Sequence, residues 1–462
     1  MKKGFGLLMI LCLPMLLTAQ EEATVLYNWQ DSTLTATGWL NSRYNEVWGV
    51  AINGLEIAII GSTEGTHFIN VTDPATAYEI EAAYIPGDAA GANLIHRDFH
   101  DYQGYLYTVA DEGPSTLQII DMNNLPTSTT LVSASNEFIT QSHNIFIDNE
   151  AGRLYSTGGE GVAILSLENP AAPTLMKRFP NSDFTIPYAH DIFVRGDTAY
   201  LNCGSQGLWV VDFSDVEEPK LLGNMTLYEQ QGYNHAGWLD DTRPYYFLAD
   251  ETHGLDIKTV SVEDAEDMEV LNTFDADAAA QSSIPHNVIV RGNYLYTSYY
   301  YDGLQVFDIS DIDNPTRVAY YDTYAGADGS GYQGAWGVYP FFPSGNILVS
   351  DMQTGLYVFD KVDESIVGND FPEILAQKVS VWPQPARQNV QIDITLKQSL
   401  AEVNFRLVDL NGREIQVFGK RDLLVGKNTV ALKLTESITS GIYFLLISGE
   451  NFSLTEKLVV EK

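Results

Sequence analysis

Apolar and polar residues alternate in short stretches along most of the 462-residue chain, and turns rich in glycine, asparagine and aspartate separate these stretches. Residues 294–299, which follow the turn Gly292-Asn293, give one example. A period of two is typical of strands with one buried face, and no stretch keeps a helical period over about ten residues. The pattern therefore predicts an all-β fold.

One unit recurs along most of the chain. Each copy opens with a histidine or tryptophan three residues before a hydrophobic or aromatic position, and its third strand follows the pattern Gly-Leu-x-Val-x-Asp, as in Gly207–Asp212 and Gly303–Asp308. A turn that ends in proline and a fourth strand complete the copy. Successive copies start 45 to 51 residues apart, and their opening residues are Trp48, His96, His143, His190, His235, His286 and Trp336.

Four short strands at this period are the signature of a propeller blade, so the seven copies predict a seven-bladed β-propeller. A solenoid also has regular units, but solenoid repeats of this length are usually helical. The last copy contains three clear strands, which end near Asp360. We expect Thr24–Trp29 to supply its fourth strand, because this pairing closes the ring and leaves no open edge.

The start of the chain has the pattern of a secretory signal peptide. Two lysines precede the apolar run Phe5–Leu17, and Ala19 offers a small residue for cleavage. We therefore assign residues 1–20 to a signal peptide. Its removal takes Cys12 with it and leaves Cys203 as the single cysteine, which excludes an intramolecular disulfide. No other apolar run is long enough to span a membrane.

Charge divides the chain into two regions. Residues 376–462 contain 11 Lys+Arg and 9 Asp+Glu, and subtraction from the totals of 25 and 61 leaves 14 and 52 for the rest. A polar stretch marks the break, so we expect a propeller over 21–365, a linker over 366–375 and a small C-terminal β-sandwich over 376–462. The formal charge of −36 repels phosphate backbones, which excludes nucleic acid as a partner.

The third strands and the turns that follow them, such as Asp308–Asp311, resemble LVIVD repeats. The unit openings that begin at His96, His143 and His190 are similar to those of the choice-of-anchor B family of secreted bacterial proteins. The resemblance covers approximately residues 45–360. It implies a surface-exposed propeller and brings no established catalytic residues.

The C-terminal region resembles a type A sorting domain of the type IX secretion system. The likeness consists of an opening Pro-x-Pro-Ala segment, a central Asp-x-x-Gly-Arg turn, a Ser-Gly-x-Tyr strand start and a terminal strand. It implies a protein that the type IX machinery carries across the outer membrane, so that it is secreted or held at the cell surface of a Gram-negative bacterium. A plain C-terminal adhesion sandwich is the alternative. The motif residues are Pro383, Pro385, Asp409, Gly412, Arg413, Gly441, Tyr443 and Lys457.

The innermost strands of a propeller line a central channel and begin at one face. The opening residues are therefore expected to form a ring at one mouth of this channel, with His100 deeper inside. Convergent imidazoles bind transition metals or acidic ligands. The expected ligand-binding residues are Trp48, His96, His100, His143, His190, His235, His286 and Trp336.

Acidic residues in the turns between second and third strands are expected to reach the same face, where they complete a metal site or act as general bases. The alternative is structural. In tryptophan–aspartate repeat propellers a histidine at each blade start hydrogen-bonds an aspartate in that turn, and this explanation is the simpler one for a residue type that recurs once per blade. Here the pairs would be His235 with Asp250 and His286 with Asp302. The metal candidates are His96, His143, His190, His235, His286, Asp111, Asp250 and Asp302, and the equivalent turns also hold Glu112, Glu251 and Asp351.

Two functions follow from these residues. The first is a non-enzymatic surface or secreted module that binds an extracellular protein or glycan. The tyrosine-rich segments 294–301 and 320–332 would form a platform for this ligand where their rings are exposed, or would simply pack as strand residues. The second is a metal-dependent hydrolase or another enzyme that uses the histidine ring. A divalent metal is the one cofactor that the sequence suggests, and no residue is assigned a catalytic role.

Overall fold

The computed structural model describes residues 21–159, 161–276, 283–327, 329–362, 380–396, 399–408, 414–435, 438–449 and 452–461. These residues fall into two compact units that divide after Val362. The expected signal peptide and linker lie outside the described residues, as do Asp409, Gly412 and Arg413 of the sorting motif.

The first unit is built from strands, and its described residues include three single-turn 3-10 helices (η) but no α-helix. In chain order the elements are β1 (Glu21–Glu22), β2 (Val25–Trp29), β3 (Tyr44–Ile52), β4 (Leu55–Ser62), β5 (Gly65–Asn70), η1 (Pro74–Thr76), β6 (Tyr78–Glu79), η2 (Glu81–Ala83), β7 (Ile85–Pro86), β8 (Arg97–Tyr102), β9 (Tyr105–Ala110), β10 (Leu117–Asp121), β11 (Thr130–Ser135), β12 (Asn144–Asp148), β13 (Arg153–Thr157), β14 (Val162–Ser166), β15 (Thr174–Phe179), β16 (Asp191–Arg195), β17 (Thr198–Asn202), β18 (Leu208–Asp212), β19 (Lys220–Met225), β20 (Asn234–Leu239), β21 (Tyr245–Asp250), β22 (Ile257–Ser261), η3 (Ala265–Asp267), β23 (Glu269–Phe274), β24 (Asn287–Arg291), β25 (Tyr294–Ser298), β26 (Leu304–Asp308), β27 (Thr316–Tyr321), β28 (Ala335–Tyr339), β29 (Ile347–Asp351) and β30 (Gly355–Phe359).

The described strands of this unit form seven antiparallel sheets, which we number as blades. Blade 1 contains β3–β6, with β7 also paired to β5, blade 2 contains β8–β11, blade 3 β12–β15, blade 4 β16–β19, blade 5 β20–β23 and blade 6 β24–β27. Blade 7 contains β28–β30 together with β2. The innermost strands β3, β8, β12, β16, β20, β24 and β28 contact one another in that order, and β28 contacts β3. The expectation of an all-β propeller is confirmed.

The ring closes through the N-terminal strand, as the sequence predicts. β2 pairs antiparallel with β30, so that Val25 lies opposite Phe359 and Trp29 opposite Leu356. One pairing was not expected. Glu21 and Glu22 add a short parallel strand, β1, to the outer edge of blade 6. The start of the described chain is therefore hydrogen-bonded to two neighbouring blades.

The repeated third-strand motif has a structural explanation. Its aspartate accepts a hydrogen bond from the backbone N–H two residues ahead, over 2.8 Å from Ser214 to Asp212 Oδ1 and 2.8 Å from Ser310 to Asp308 Oδ1. This bond stabilises the turn that follows the strand. The motif glycine has a positive φ of 75° at Gly207, and its Cα lies against a fourth-strand carbonyl where no side chain fits.

Apolar contacts between neighbouring blades form the core. Tyr155 and Phe179 of blade 3, for example, pack on Phe213, which follows the third strand of blade 4. One ionic contact is also fully buried. Lys258 Nζ lies 2.9 Å from Asp250 Oδ2, and neither side chain is exposed. In the part of the chain that the structure describes, no helix has the length and apolarity to cross a membrane.

The second unit is a small β-sandwich. Its strands are β31 (Ser380–Trp382), β32 (Asn389–Leu396), β33 (Leu400–Val408), β34 (Glu414–Leu423), β35 (Gly426–Lys433), β36 (Gly441–Gly449) and β37 (Phe452–Val460). The order β31-β32-β35 makes one sheet and β34-β33-β36-β37 the other, and aliphatic side chains from both share one core. The opening and closing motifs meet here, because Ala386 N–H donates to the Val459 carbonyl (2.7 Å) and the Ala386 carbonyl accepts from Glu461 N–H (2.8 Å).

Candidate functional site

Six of the seven opening residues form a closed ring at one end of the channel. Each of them precedes its innermost strand or lies within the first two residues of it, so the side chains meet at a common level. The distances between neighbouring ring centroids are 4.9 Å for His96 and His143, 3.9 Å for His143 and His190, 4.4 Å for His190 and His235, 4.6 Å for His235 and His286, 4.0 Å for His286 and Trp336, and 5.3 Å for Trp336 and His96.

Trp48 does not belong to this ring, and its expected position was wrong. It is the fifth residue of β3, which begins at Tyr44, so it lies further along the channel than the ring histidines. Its indole packs on His100 at 4.4 Å and on Tyr339 at 5.1 Å, and its Nε1–H donates to Asp101 Oδ1 over 2.8 Å. The regular spacing between Trp48 and the next opening residue did not reveal this shift. The first strand of blade 1 begins earlier, relative to its opening residue, than the first strands of the other blades do.

A second aromatic layer lies deeper in the channel. It contains Trp48 and His100 together with the residues three positions after several openings. His100 contacts Phe146 at 5.2 Å, and burial lowers the pKa of His100 to about 4, so its imidazole is neutral at pH 7. The centroid distances within the rest of the layer are 5.0 Å for Phe146 and Phe193 and 4.9 Å for Phe193 and Trp238.

A cavity of about 70 Å³ adjoins this deeper layer, and carboxyl and amide groups are among the side chains that line it. Asp98 Oδ2 accepts hydrogen bonds from Ile145 N–H (2.6 Å) and from Asn144 Nδ2 (3.1 Å). Burial raises the pKa of Asp98 to about 8. Burial and the charge of Asp98 raise the pKa of Glu46 well above its usual range. The interior of the channel therefore holds protonated carboxyl groups at neutral pH.

The sequence pattern did not predict this polar layer. Glu46, Asp98 and Asp191 are acidic residues within the first three positions of the inner strands β3, β8 and β16. A charged residue in such a strand has to face either solvent or a lined channel, because burial against an apolar blade is costly. These acidic residues were visible in the sequence, but the histidines recur more regularly and were selected as the site candidates instead.

The ring histidines are held through their Nδ1 atoms. His143 Nδ1 forms a hydrogen bond of 3.0 Å with Asp111 Oδ2. His235 Nδ1 bonds the carbonyl oxygen of His286 over 3.1 Å. In the same way, His286 Nδ1 bonds the carbonyl oxygen of Trp336 over 2.7 Å. His96 Nδ1 bonds Glu112. A carbonyl oxygen only accepts, so Nδ1 of His235 and of His286 carries the proton and Nε2 keeps its lone pair.

The predicted pair of His235 with Asp250 does not form, nor does that of His286 with Asp302, because both imidazoles bond the backbone of the next blade instead. Asp250 accepts from Tyr228 Oη over 2.7 Å and pairs with Lys258. Among the described residues, no group of side chains close enough to share a cation includes Asp250 or Asp302. Those two metal candidates are therefore wrong, whereas Asp111 does reach the ring.

One arc of the ring brings four potential ligand atoms together. The donor atoms of His143, His190, Asp191 and His235 all lie within 4.8 Å of one another. His190 Nδ1 is 2.9 Å and His143 Nε2 is 4.0 Å from Asp191 Oδ1. Burial alone would lower the pKa of His190, but the close contact with Asp191 and the charges of Asp191, Glu251 and Asp111 together outweigh burial and raise that pKa. Burial lowers the pKa of His143 to about 4, and the charge of His190 adds to this effect.

Exposed aromatic side chains border the ring on its open side. Trp39 is 70% exposed, and its ring lies 6.4 Å from that of Tyr332. Tyr233 packs edge-on against His190 at 5.3 Å, and Tyr188 is exposed two residues before that histidine. We call Trp39, Tyr188, Tyr233 and Tyr332 the aromatic rim.

The tyrosine-rich segment 294–301 does not contribute to this rim. Tyr299, Tyr300 and Tyr301 are buried, so this segment packs as ordinary strand and turn residues. Tyr300 is connected to the ring through Glu251, because its hydroxyl donates a hydrogen bond of 2.5 Å to Glu251 Oε1. Of the two segments, only 320–332 supplies a rim residue.

Comparison with known proteins defines the class. The LVIVD repeat model matches residues 187–226 and 285–323, which contain strands of blades 4 and 6. The model of the secretion system C-terminal sorting domain matches residues 380–461. The chain thus carries LVIVD repeats within its propeller and a C-terminal sorting domain of the type IX secretion system. It is a secreted or outer-membrane surface protein of a Bacteroidetes-type Gram-negative bacterium, and its sorting domain engages the secretion machinery.

Solved structures of low sequence identity resemble the chain. The computationally designed Ika8 protein is 9% identical, with a TM-score of 0.43 over 71% of this chain and 99% of that one. A candidate 6-phosphogluconolactonase from Bacteroides uniformis is 14% identical, with a TM-score of 0.45 over 80% and 96%. The β-propeller domain of Cps50 (Swd1) from Myceliophteria thermophila is 10% identical, with a TM-score of 0.45 over 66% and 94%. A search of curated proteins gives no match.

Proposed function

We propose that the propeller is a non-enzymatic surface module that binds a neutral extracellular oligosaccharide at its histidine-lined mouth. The observation that carries this proposal is the aromatic rim, in which Tyr233 packs on His190 of the ring while Trp39 and Tyr188 each expose more than half of their surface. The C–H faces of a sugar stack on such rings, because they are apolar while the sugar edge is polar. The binding surface would lie outside the cell, in keeping with the sorting domain.

Carboxylates at the mouth supply the polar half of the site. Asp111 holds His143 through Oδ2, whereas Glu112 holds the His96 imidazole through Oε1 and accepts the backbone N–H groups of Ile95 and His96 at Oε2. Both carboxylates remain partly exposed. Glu251 lies 4.0 Å from His235 Nε2. Their remaining lone pairs accept hydrogen bonds from sugar hydroxyls, which places a few directed polar contacts among apolar ones. This combination is typical of small-molecule sites.

Charge and polarity select the ligand. The formal charge of −36 is concentrated in the part of the chain before residue 376, so glycans rich in uronate or sulfate are repelled. A protein ligand is disfavoured for another reason. Protein interfaces depend on an apolar centre that loses its water, whereas the centre of this mouth consists of imidazoles and carboxylates.

The test is a binding measurement on the chain from residue 21 to residue 462. Neutral cello-, xylo-, malto- and chito-oligosaccharides serve as probes in isothermal titration calorimetry, beside oligogalacturonate. We expect one neutral class to bind, and Trp39→Ala to weaken it at least tenfold. Trp382→Ala is the matched control, because this exposed tryptophan lies in the sandwich unit. Tyr188→Ala is compared with Tyr78→Ala, an exposed tyrosine on an outer strand.

Three outcomes contradict the proposal. The first is a complete absence of binding across the neutral probes. The second is a preference for oligogalacturonate. The third is equal weakening by Trp39→Ala and Trp382→Ala, which would show that the rim does not contact the ligand.

A further inference from the structure

We propose that His143, His190, Asp191 and His235 form a binding site for one divalent first-row transition-metal ion, such as Zn²⁺. This inference goes beyond the proposed function and does not depend on it, because the ion would bind whether or not an oligosaccharide does. The site lies on the arc of the ring that blades 3, 4 and 5 supply.

The donor set fits such an ion. Three imidazoles and one carboxylate are ligands that zinc and its neighbours accept, whereas calcium and magnesium prefer oxygen alone. Metal–nitrogen bonds of about 2.0–2.1 Å require ligand atoms roughly 3.3 Å apart in a tetrahedral site. The four donor atoms already lie within 4.8 Å of one another. Small rotations of the side chains are enough to bring them to that spacing.

The surroundings orient two of the imidazoles as metal ligands. His143 Nδ1 is bonded to Asp111 and His235 Nδ1 to the carbonyl of His286. Metal-bound histidines characteristically donate one ring N–H to a carboxylate or to a backbone carbonyl, which fixes the ring and leaves the other nitrogen for the metal. Two of the three imidazoles in the proposed ligand set thus have their outer shell in place.

Two atoms in the cluster lack the hydrogen bonds that burial demands. His190 Nδ1 and Asp191 Oδ1 are inaccessible to solvent, and neither forms a hydrogen bond of acceptable geometry although they are 2.9 Å apart. An unsatisfied buried polar atom costs about 1–3 kcal/mol. A bound cation satisfies both atoms at once, which a purely structural role for the ring does not.

The ring is also asymmetric in a way that favours this arc. Trp336 occupies the opposite side and offers no ligand atom, while among the residues that the structure describes His286 joins only His235 and Glu251, in a smaller group. A cavity of about 20 Å³ borders His143, Asp191 and His235. It has room for one water-sized ligand, so an exchangeable fifth ligand can be accommodated.

The experiment uses the chain from residue 21 to residue 462 after removal of metals with a chelator. Zn²⁺ is titrated by calorimetry, its stoichiometry is measured by mass spectrometry, and Co²⁺ is added as a spectroscopic probe. We expect one ion per chain and the strong visible absorption of four-coordinate cobalt. His190→Ala and Asp191→Asn should each weaken Zn²⁺ binding at least a hundredfold, and Asp111→Asn should weaken it ten- to a hundredfold.

The controls separate a metal site from a structural ring. His286→Ala removes a ring histidine outside the proposed ligand set, and His100→Ala removes a buried histidine of the deeper layer. Both should keep Zn²⁺ affinity within about threefold, and circular dichroism of every variant verifies its fold. Absence of stoichiometric uptake by the folded chain would overturn the assignment. So would unchanged affinity in folded His190→Ala, or a loss in His286→Ala as large as that in His190→Ala.

Discussion

The carbonyl oxygen of Trp29 lies against Gly355, in the space that a side chain at position 355 would occupy. Gly207 meets the carbonyl of Met225 in the same way. The N-terminal strand therefore takes the place in blade 7 that a fourth strand takes in blade 4. Two segments more than three hundred residues apart in the chain are locked together at this contact.

This contact predicts the effect of Gly355→Ala. Gly355 has a φ of +88° and no room for a Cβ, whereas Gly292 has a φ of +60° and open space. Gly292→Ala should lower the free energy of unfolding by about 1 kcal/mol, because alanine disfavours the left-handed region. Gly355→Ala should lower it at least twice as much. Thermal melting measures both, and equal losses would refute the contact.

Deletion of residues 21–30 tests ring closure directly. It removes β2 and leaves β30 as an unpaired edge, so the melting temperature of the propeller should fall strongly and the protein should tend to aggregate. A melting temperature equal to that of the intact chain would contradict closure by this strand.

The buried pair Lys258–Asp250 predicts strong destabilisation by Lys258→Met. The substitution leaves the Asp250 carboxylate in a fully buried place with Tyr228 as its side-chain hydrogen-bond donor, which should cost about 3–5 kcal/mol. The double variant Lys258→Met/Asp250→Asn should recover part of this loss. Lys177→Met is the control, because its pair with Glu217 is largely exposed and is worth at most about 1 kcal/mol. Urea unfolding distinguishes these cases.

The buried carboxyl group of Asp98 predicts that the fold loses stability as pH rises from about 4 to about 8. Burial raises the pKa of Asp98 to about 8, so the folded chain retains a proton that the unfolded chain releases near pH 4. Unfolding then releases this proton and becomes easier as pH rises from about 4 to 8, by up to about 1.4 kcal/mol per pH unit.

Urea midpoints at pH 5, 7 and 9 in the presence of a chelator measure this effect. Asp98→Asn should flatten the decline, and Asp313→Asn, at an exposed turn position, should retain it. If Asp98→Asn and the unsubstituted chain have parallel pH profiles, the carboxyl is already ionised in the folded state.

The sandwich predicts which substitutions prevent surface display. Val460 is 2% exposed in the core of the sorting domain, whereas Val417 is 50% exposed. Val460→Asp buries a carboxylate and should unfold the domain, so the protein should remain in the periplasm. Val417→Asp should be displayed normally. Fractionation with a protease-accessibility assay gives the readout, and normal display of Val460→Asp would show that a folded sandwich is not required.

The sequence predicts the propeller well because its signals are local. The motif glycines and the turn aspartates each act within one blade, and the histidines recur at the blade starts, so that the period alone gives the strands and their order. The pairing of Thr24–Trp29 also follows from the sequence, because the last copy contains three clear strands and Thr24–Trp29 is a strand that belongs to no other copy.

The site was predicted less completely, because it depends on contacts between blades. The position of Trp48 is set by the start of β3 at Tyr44 and by the irregular pairing of β3 with β4 between Tyr44 and Val47, which periodicity does not reveal. Likewise His235 bonds a carbonyl 51 residues away instead of the nearby Asp250. Asp191 becomes a candidate metal ligand because three imidazoles lie close to it in space, and the sequence does not show this proximity.

Ring closure by β2 has a consequence for the order in which the molecule is made. β2 is synthesised before β30, so it has no partner strand until blade 7 has been synthesised. The ring therefore stays open until nearly all of the propeller has been synthesised.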